Sequence, residues 1–264
     1  MNSLDLIAVK DFPVIEVGDN LVEIISSAVN SNNLSIDDND IFVIAHKIIS
    51  KSENRYVNLN EIKVSDDAAK LALKLNKDKR LVQAIMNESN NIISTNKNVI
   101  VVEHKLGLVN INAGIDLSNI PIDNNIALLL PKDPSKSADY LQNKLSKIYN
   151  KNISIVISDS MTRPYRSGVV NFAIASSNIN SLLDLKGEID MYGRKLKGTE
   201  VAVADELAAS AGLLMGQSSE MQPVILIKGY KHFNNEINDA ATLIVDKSDD
   251  LYRYYNNEIK YKSK

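Results

Sequence analysis

The sequence predicts a mixed α/β fold, of the α+β kind, with at least two sheet layers. Three observations carry that expectation. Short β-branched runs and amphipathic segments mix along the chain without a regular βαβ rhythm. Neither GxGxxG nor GxxxxGK[ST] occurs, which argues against a Rossmann unit and a P-loop. Residues 153–157, ISIVI less its Ser154, are an almost continuous apolar run, the kind of strand buried on both faces.

The elements follow in order. Residues 6–9 read as a short strand. Gly18 and Asp19 open an apolar-periodic segment over 21–29, with Asp19 as its N-cap. Residues 41–45 are a β-rich run bounded by acidic turn residues. Ser65, Asp66 and Asp67 cap a helix running to Leu75, and a second helix spans 80–88. A β-branched strand covers 98–102, and a short apolar run over 127–130 stops at Pro131. Residues 137–149 have helical spacing, with Leu141 and Leu145 on one face. Residues 169–174 read as a strand. The alanine- and leucine-rich stretch 200–215 reads as the clearest helix, with Gly198 and Thr199 before it and Gly216 after it. A strand over 224–227 follows Pro223. The charged, tyrosine-rich stretch beyond Lys247 reads as a frayed helix. No repeat or long linker divides the chain, so residues 1–264 form one unit, with two subdomains whose boundary the sequence does not mark.

Composition narrows the function classes. The 264 residues are 44% hydrophobic and 24% charged, as in soluble globular proteins. Thirty basic against 33 acidic side chains leave −3, and no basic-aromatic module appears, so a nucleic-acid role has little support. No apolar run approaches the roughly 20 residues of a membrane span. The N-terminus lacks a signal-peptide pattern, so a cytoplasmic location without membrane partners is expected. Cysteine is absent, which excludes disulfides and thiolate metal sites. A bound metal must use carboxylates, hydroxyls, amides or one of three histidines.

Five clusters have the chemistry of a site. Asp159 and Ser160 end the 153–157 strand, where ligands collect in open α/β sheets, and they offer hard oxygens to Mg²⁺ or Mn²⁺. The loop from Asn112 through Asp116 to Asn119 offers another carboxylate and an amide with both donor and acceptor. His46, Lys47 and Lys51 leave the 41–45 strand as point charges suited to phosphate. Asp205 and Glu206 are adjacent on a helix, so at most one faces a site. Asp190, Tyr192 and Arg194 form a tight turn. Only six arginines occur, and Arg163, Arg166 and Arg194 fall within 32 residues. They are the side chains suited to a bidentate grip on phosphate or carboxylate. Each cluster also has a plain structural reading, as a turn cap, a solvated edge or an amphipathic helix. Together they are the equipment of nucleotide-dependent phosphoryl transfer.

HKIISKSENR, NAGIDLSN, SDSMTRPYRSG, DMYGRKLKGTEVAVADELAASAGLLMGQ and PVILIKG occur in this order. Together they resemble the coenzyme F-420-0:L-glutamate ligase family over about residues 11–229. The resemblance implies activation of a substrate carboxylate by GTP as an acyl phosphate, then attack by the amine of L-glutamate to give a γ-glutamyl amide linkage. It implies two divalent ions, Mn²⁺ or Mg²⁺, and it admits K⁺. It also implies an intertwined homodimer of mixed fold, built from two subdomains. By motif, Asp116 and Asp159 would hold one metal, and Ser160 and Gln217 a second. GTP would be held by Asp11, Phe12, Pro13, Val14, His46, Lys47, Lys51 and Asn119. The loop Met215, Gly216, Gln217, Ser218, Ser219, Glu220, Met221 and Gln222 would complete that site. Arg163, Arg166 and Arg194 are assigned to substrate phosphate or carboxylate from the residues alone. Glycine is common in the family where this chain has Asp11, Asn54, Thr162, Asn171, Ala175 and Asn178. Asparagine tolerates the left-handed region best among residues with a Cβ. Alternative readings are the same chemistry on a reduced folate, a nucleotide-binding protein without turnover, and a metal-dependent phosphatase.

Overall fold

The computed structural model describes residues 3–120, 125–231 and 236–252. The chain runs through β1 (Asp5–Ala8), α1 (Leu21–Ser31), β2 (Ile41–Ala45) and α2 (His46–Ser52). A lobe follows, with β3 (Tyr56–Asn58), α3 (Asp66–Leu75), α4 (Lys79–Asn87), β4 (Ser89–Asn96), β5 (Val99–His104), β6 (Val109–Ile111) and β7 (Ile126–Leu128). The chain then returns through α5 (Pro134–Tyr149), β8 (Ser154–Arg163), β9 (Arg166–Ser177), β10 (Leu182–Asp184), β11 (Glu200–Ala202), α6 (Val203–Met215) and β12 (Val224–Lys228).

A five-stranded sheet, in the order β1-β12-β2-β8-β9, organises the fold. Only β2 and β8 are parallel; the other neighbours are antiparallel. Phe42, Ile44, Ile155, Ile157 and Leu226 face one core with α1 and α5. Ile41, Val43, Val156, Ile225 and Ile227 face the other, with Ala204, Leu207, Ala208 and Ala211 of α6. The central strands are therefore apolar on both faces, as the 153–157 run predicts. The lobe packs its own cluster of Ala68, Ala72, Leu75, Val82, Ile85, Ile100 and Val102. The mixed α/β class is borne out.

Most boundaries follow local chemistry. Ser65 caps α3 by accepting the Ala68 N–H, as expected. The cap of α1 is Asn20 and not Asp19, because the Asp19 carboxylate accepts the Glu16 N–H instead. Helix α6 starts at Val203 and not at Glu200, because Glu200–Ala202 pair with β10. Helix α2 and strands β3, β4 and β6 are additions: α2 continues directly from β2, and β4 (SNNIISTN) is too polar to read as a strand. Asp11, Asn54 and Asn178 take φ of 56°, 55° and 60°, the left-handed turns that glycine otherwise fills. Residues 247–252 form turns, and the remainder of the expected C-terminal helix lies outside the described residues.

A bulge shapes the working end of the β8–β9 hairpin. Ile157 pairs with Ala175, but Ser158 pairs with Ala173, so Ile174 is the extra residue. Ile174 and Ala175 consequently pack on the same core although they are adjacent in sequence. The Ala173 N–H is taken by Asp205 Oδ1 of α6 at 2.9 Å. Burial pushes the Asp205 carboxyl up, against that hydrogen bond. Of the adjacent pair on the helix, Asp205 thus faces inward. Asp205→Ala should leave the Ala173 amide unpaired and cost about 1–3 kcal/mol in urea unfolding. Asp205→Asn, which keeps an acceptor, should recover most of that loss.

Candidate active site

Strand β2 ends at Ala45, but β8 runs on to Arg163. Asp159 and Ser160 therefore lie in mid-strand and not at the strand end that the sequence predicts; the β8–β9 hairpin continues past the 153–157 apolar run. Ala45 is opposite Ser158, so His46 and Asp159 emerge side by side. Asp116 arrives from the lobe. Two backbone hydrogen bonds to Leu128, both 2.9 Å, clamp it. Just before it, Asn112, Ala113 and Gly114 are left-handed in succession, with φ of 51°, 57° and 62°. At Gly114 a Cβ would come within 2.9 Å of Asn110 Nδ2 and 3.0 Å of Leu130, so only glycine fits. The buried Ala113 holds a conformation that costs of order 1–3 kcal/mol, a strain stored beside Asp116.

His46 Nε2 lies 3.2 Å from Asp159 Oδ1 and 3.3 Å from Asp116 Oδ2. One N–H shared by two oxygens is well aligned with neither, so the contact is ionic more than hydrogen-bonded. Lys47 Nζ pairs with the other Asp116 oxygen at 3.1 Å. Burial alone pushes an imidazole down, but Asp159 and then Asp116 outweigh it and hold His46 up at about 9. Burial likewise pushes Asp116 up, yet His46 and Lys47 hold it below the usual carboxylate range. Among the described residues Lys51 forms no ion pair; burial, then the neighbouring Lys47 charge, lowers it against the pull of Asp116.

His46, Lys47, Lys51 and Asp159 floor a cleft of about 730 Å³. Its walls are Phe12, Pro13 and Val14 on one side and the loop from Met215 to Gln222 on the other. Asn119 Nδ2 donates to the Ser218 carbonyl at 2.8 Å and ties the lobe to that loop. Gly216 has φ 73°, and a Cβ there would collide with the Glu220 side chain, whose carboxylate accepts the Ser218 N–H. Nearly every residue that the resemblance assigns to GTP or metal thus meets in one place. Asp11 lies just outside the lining, and Asp116 sits beneath it, against His46. Ser158, Tyr56 and Ile120 line the cleft without being assigned a role from the sequence, and so does Asn171, which stands out there only as a departure from a family glycine. Asn171 lies in β9 and not in a left-handed turn, and its partners are distant in sequence.

The arginines are elsewhere. Arg163 and Arg166 flank the exposed tip of the β8–β9 hairpin, where Arg163 bonds the carbonyls of Ser167 and Gly168. Arg194 is 3.5 Å from Asp190 and lies over the Tyr192 ring. None of the three lines the cleft within a single chain.

Among the described residues no three His, Asp or Glu side chains form a metal cage by themselves. The donor set nonetheless fits a hard divalent ion that shares its ligands with a phosphate. Two carboxylates converge, Asp116 Oδ2 and Ser158 Oγ are buried without hydrogen bonds, and Ser160 and Gln217 add oxygens at the edge. Mg²⁺-type ions typically use one or two carboxylates plus substrate phosphate.

The charge of His46 sets a pH dependence. Its folded value lies above the ordinary 6.5, so its stabilisation is complete below about pH 6.5 and is lost as pH rises through about 9. The thermal midpoint should fall over that window. By NMR the imidazole should titrate near 9, and in Asp116→Asn it should move down. A wild-type imidazole titrating near 6.5 would refute the ionic contact.

The chain matches the family described as F420-0:Gamma-glutamyl ligase over residues 10–229. A protein named coenzyme F420:L-glutamate ligase from Methanothermobacter thermautotrophicus is 42% identical over 227 residues, covering 86% of this chain and 89% of that one. The protein of the same name from Methanocaldococcus jannaschii is 40% identical over 246 residues, covering 92% and 94%. A third, from Methanococcus maripaludis, is 41% identical over 219 residues, covering 83% and 86%. On that likeness, carried across nearly all of both chains, this protein belongs to the F420-0:gamma-glutamyl ligase family.

Proposed function

We propose that the protein joins the amine of L-glutamate to a carboxylate of coenzyme F-420-0, using GTP and a divalent ion. The observation that carries the reading is the division of charge at one cleft: Asp159 on its floor with Asp116 directly beneath for a cation, and Lys47 and Lys51 for phosphate. The names of the relatives supply the acceptor and the amino acid.

A carboxylate is a poor electrophile. Transfer of the GTP γ-phosphoryl group to its oxygen gives an acyl phosphate and GDP. Attack by the glutamate amine then forms the amide and releases phosphate and a proton. The loose transition state of the first step calls for positioning and charge stabilisation, not a protein nucleophile. A divalent ion, Mn²⁺ or Mg²⁺, supplies Lewis-acid neutralisation of the phosphate oxygens when bound. Asp116 and Asp159 would hold it, with Ser160 and Gln217 serving a second ion. Lys51, within reach of the Asp116 field but not ion-paired with it among the described residues, offers its charge to phosphate, whereas Lys47 divides its charge with Asp116. Phe12, Pro13 and Val14 form an apolar wall for the base. The Asn119–Ser218 bond draws the lobe toward the 215–222 loop and shields the acyl phosphate from water.

Homodimerisation and a cytoplasmic location belong to the same proposal and rest on the family resemblance. Among the described residues no helix is long and apolar enough to cross a membrane.

The test is a mass-spectrometric ligation assay with GTP, Mn²⁺, L-glutamate and F-420-0. Addition of one glutamyl group with formation of GDP is the expected result. Product only with a reduced folate would replace the acceptor, and GDP release without any need for glutamate would point to a phosphatase. Asp159→Asn should reduce GDP formation by at least about a hundredfold while the far-UV circular dichroism stays unchanged. Near-normal GDP release would remove Asp159 from the site.

A further inference from the structure

Gln217 and Asn171 meet at the edge of the cleft from different elements. Gln217 follows α6, and Asn171 lies on β9 opposite Ser160. Gln217 Nε2 donates to Asn171 Oδ1 at 2.9 Å. Asn171 Nδ2 in turn donates to Met215 Sδ at 3.5 Å. A thioether sulfur carries no hydrogen and can only accept. That fixes the sense of the whole chain of bonds. The sulfur takes the Asn171 N–H, the Asn171 carbonyl is left to accept, and the Gln217 nitrogen must turn toward it. Gln217 Oε1 is then the half of the amide left for an occupant of the cleft. Asn171 itself is 4% exposed, and a Cβ on Gly212 would come 2.9 Å from its Cγ. The α6 backbone thus leaves Asn171 its place only because residue 212 has no side chain.

We propose that Asn171 is a positioning residue that holds Gln217 with its amide oxygen toward the cleft, so that the edge beside Ser160 receives a cation and not an anion. An amide turned the other way would present N–H groups there, repelling a metal ion and attracting phosphate. The inference rests on reading the cleft as a metal–nucleotide site.

The test uses Mn²⁺ binding, followed by the electron paramagnetic resonance of free Mn²⁺, in the presence of a non-hydrolysable GTP analogue; it needs no turnover. Asn171→Leu should weaken Mn²⁺ binding about tenfold, as loss of a ligand-orienting partner does. Nucleotide affinity measured in chelator should stay unchanged. Met215→Leu, which keeps the bulk and removes the acceptor, should shift Mn²⁺ binding the same way by a smaller factor. The decisive comparison is made in Gln217→Glu. A carboxylate has two equivalent oxygens and needs no orienting, so adding Asn171→Leu there should change Mn²⁺ affinity less than about twofold. An Asn171→Leu protein that binds Mn²⁺ as the wild type does overturns the inference. So does an equal loss in the Gln217→Glu background, which would mark a merely structural role. If the wild type itself binds no Mn²⁺ with the analogue, the metal–nucleotide reading fails first and this role fails with it.

Discussion

The cleft depends on one buried contact, the imidazole of His46 held between Asp116 and Asp159. Its three residues come from three places: the start of α2, the lobe and the middle of β8. Burying any one of these charges alone would be strongly unfavourable, and burial becomes tolerable only when charges are paired. With His46 protonated and Lys47 included, two positive charges face two negative ones. Removing a single member leaves an uncompensated charge in a place that excludes water. The lobe is therefore tied to the sheet by the same groups that the chemistry needs. The imidazolium also occupies the position where a cation belongs between the carboxylates. On the proposed function, a divalent ion would meet carboxylates already paired with that imidazolium and would have to displace it or take its charge.

How much of this was legible in the sequence depends on how far apart the interacting groups lie. β2 reads to the residue, because a five-residue apolar run between an acidic turn and His46-Lys47 has few other uses. α2 does not, because its seven residues give too few turns for a period to show and it continues β2 without a break. β4 is paired by its backbone while its side chains stay polar, and hydropathy is blind to that. The two carboxylates are visible because Asp159 follows a recognisable apolar run and Asp116 stands in a polar, glycine-containing loop. The arginines are placed apart from the cleft of a single chain: two of them flank an exposed hairpin tip and the third is paired in a turn, which scarcity in the sequence does not indicate. Asn171 stands out in the sequence only as a departure from a family glycine, and its role cannot be read there. Its meaning lies in Gln217 and Met215, 46 and 44 residues away, and in the absence of a side chain on Gly212.

The floor and the edge of the cleft are built differently, and the difference assigns them different work. His46 is 2% exposed and Asp159 9%, and the backbone around Asp116 is pinned by paired hydrogen bonds and left-handed strain. Such a floor holds charges where the reaction develops them, without reorganisation at the moment of reaction. At the edge, Val14 is 68% and Met221 54% exposed, and a single Asn119–Ser218 bond spans the gap. Few contacts hold that edge, so it is drawn from the low-stability end of the structure, where loops open and close around a ligand. On the proposed function, phosphoryl transfer would be common to every acceptor and would use the fixed floor, while acceptor and product would pass the loosely held edge. Changes in acceptor choice would then fall on Val14, Asn119 and the 215–222 loop, and Asp116, Asp159 and His46 would stay.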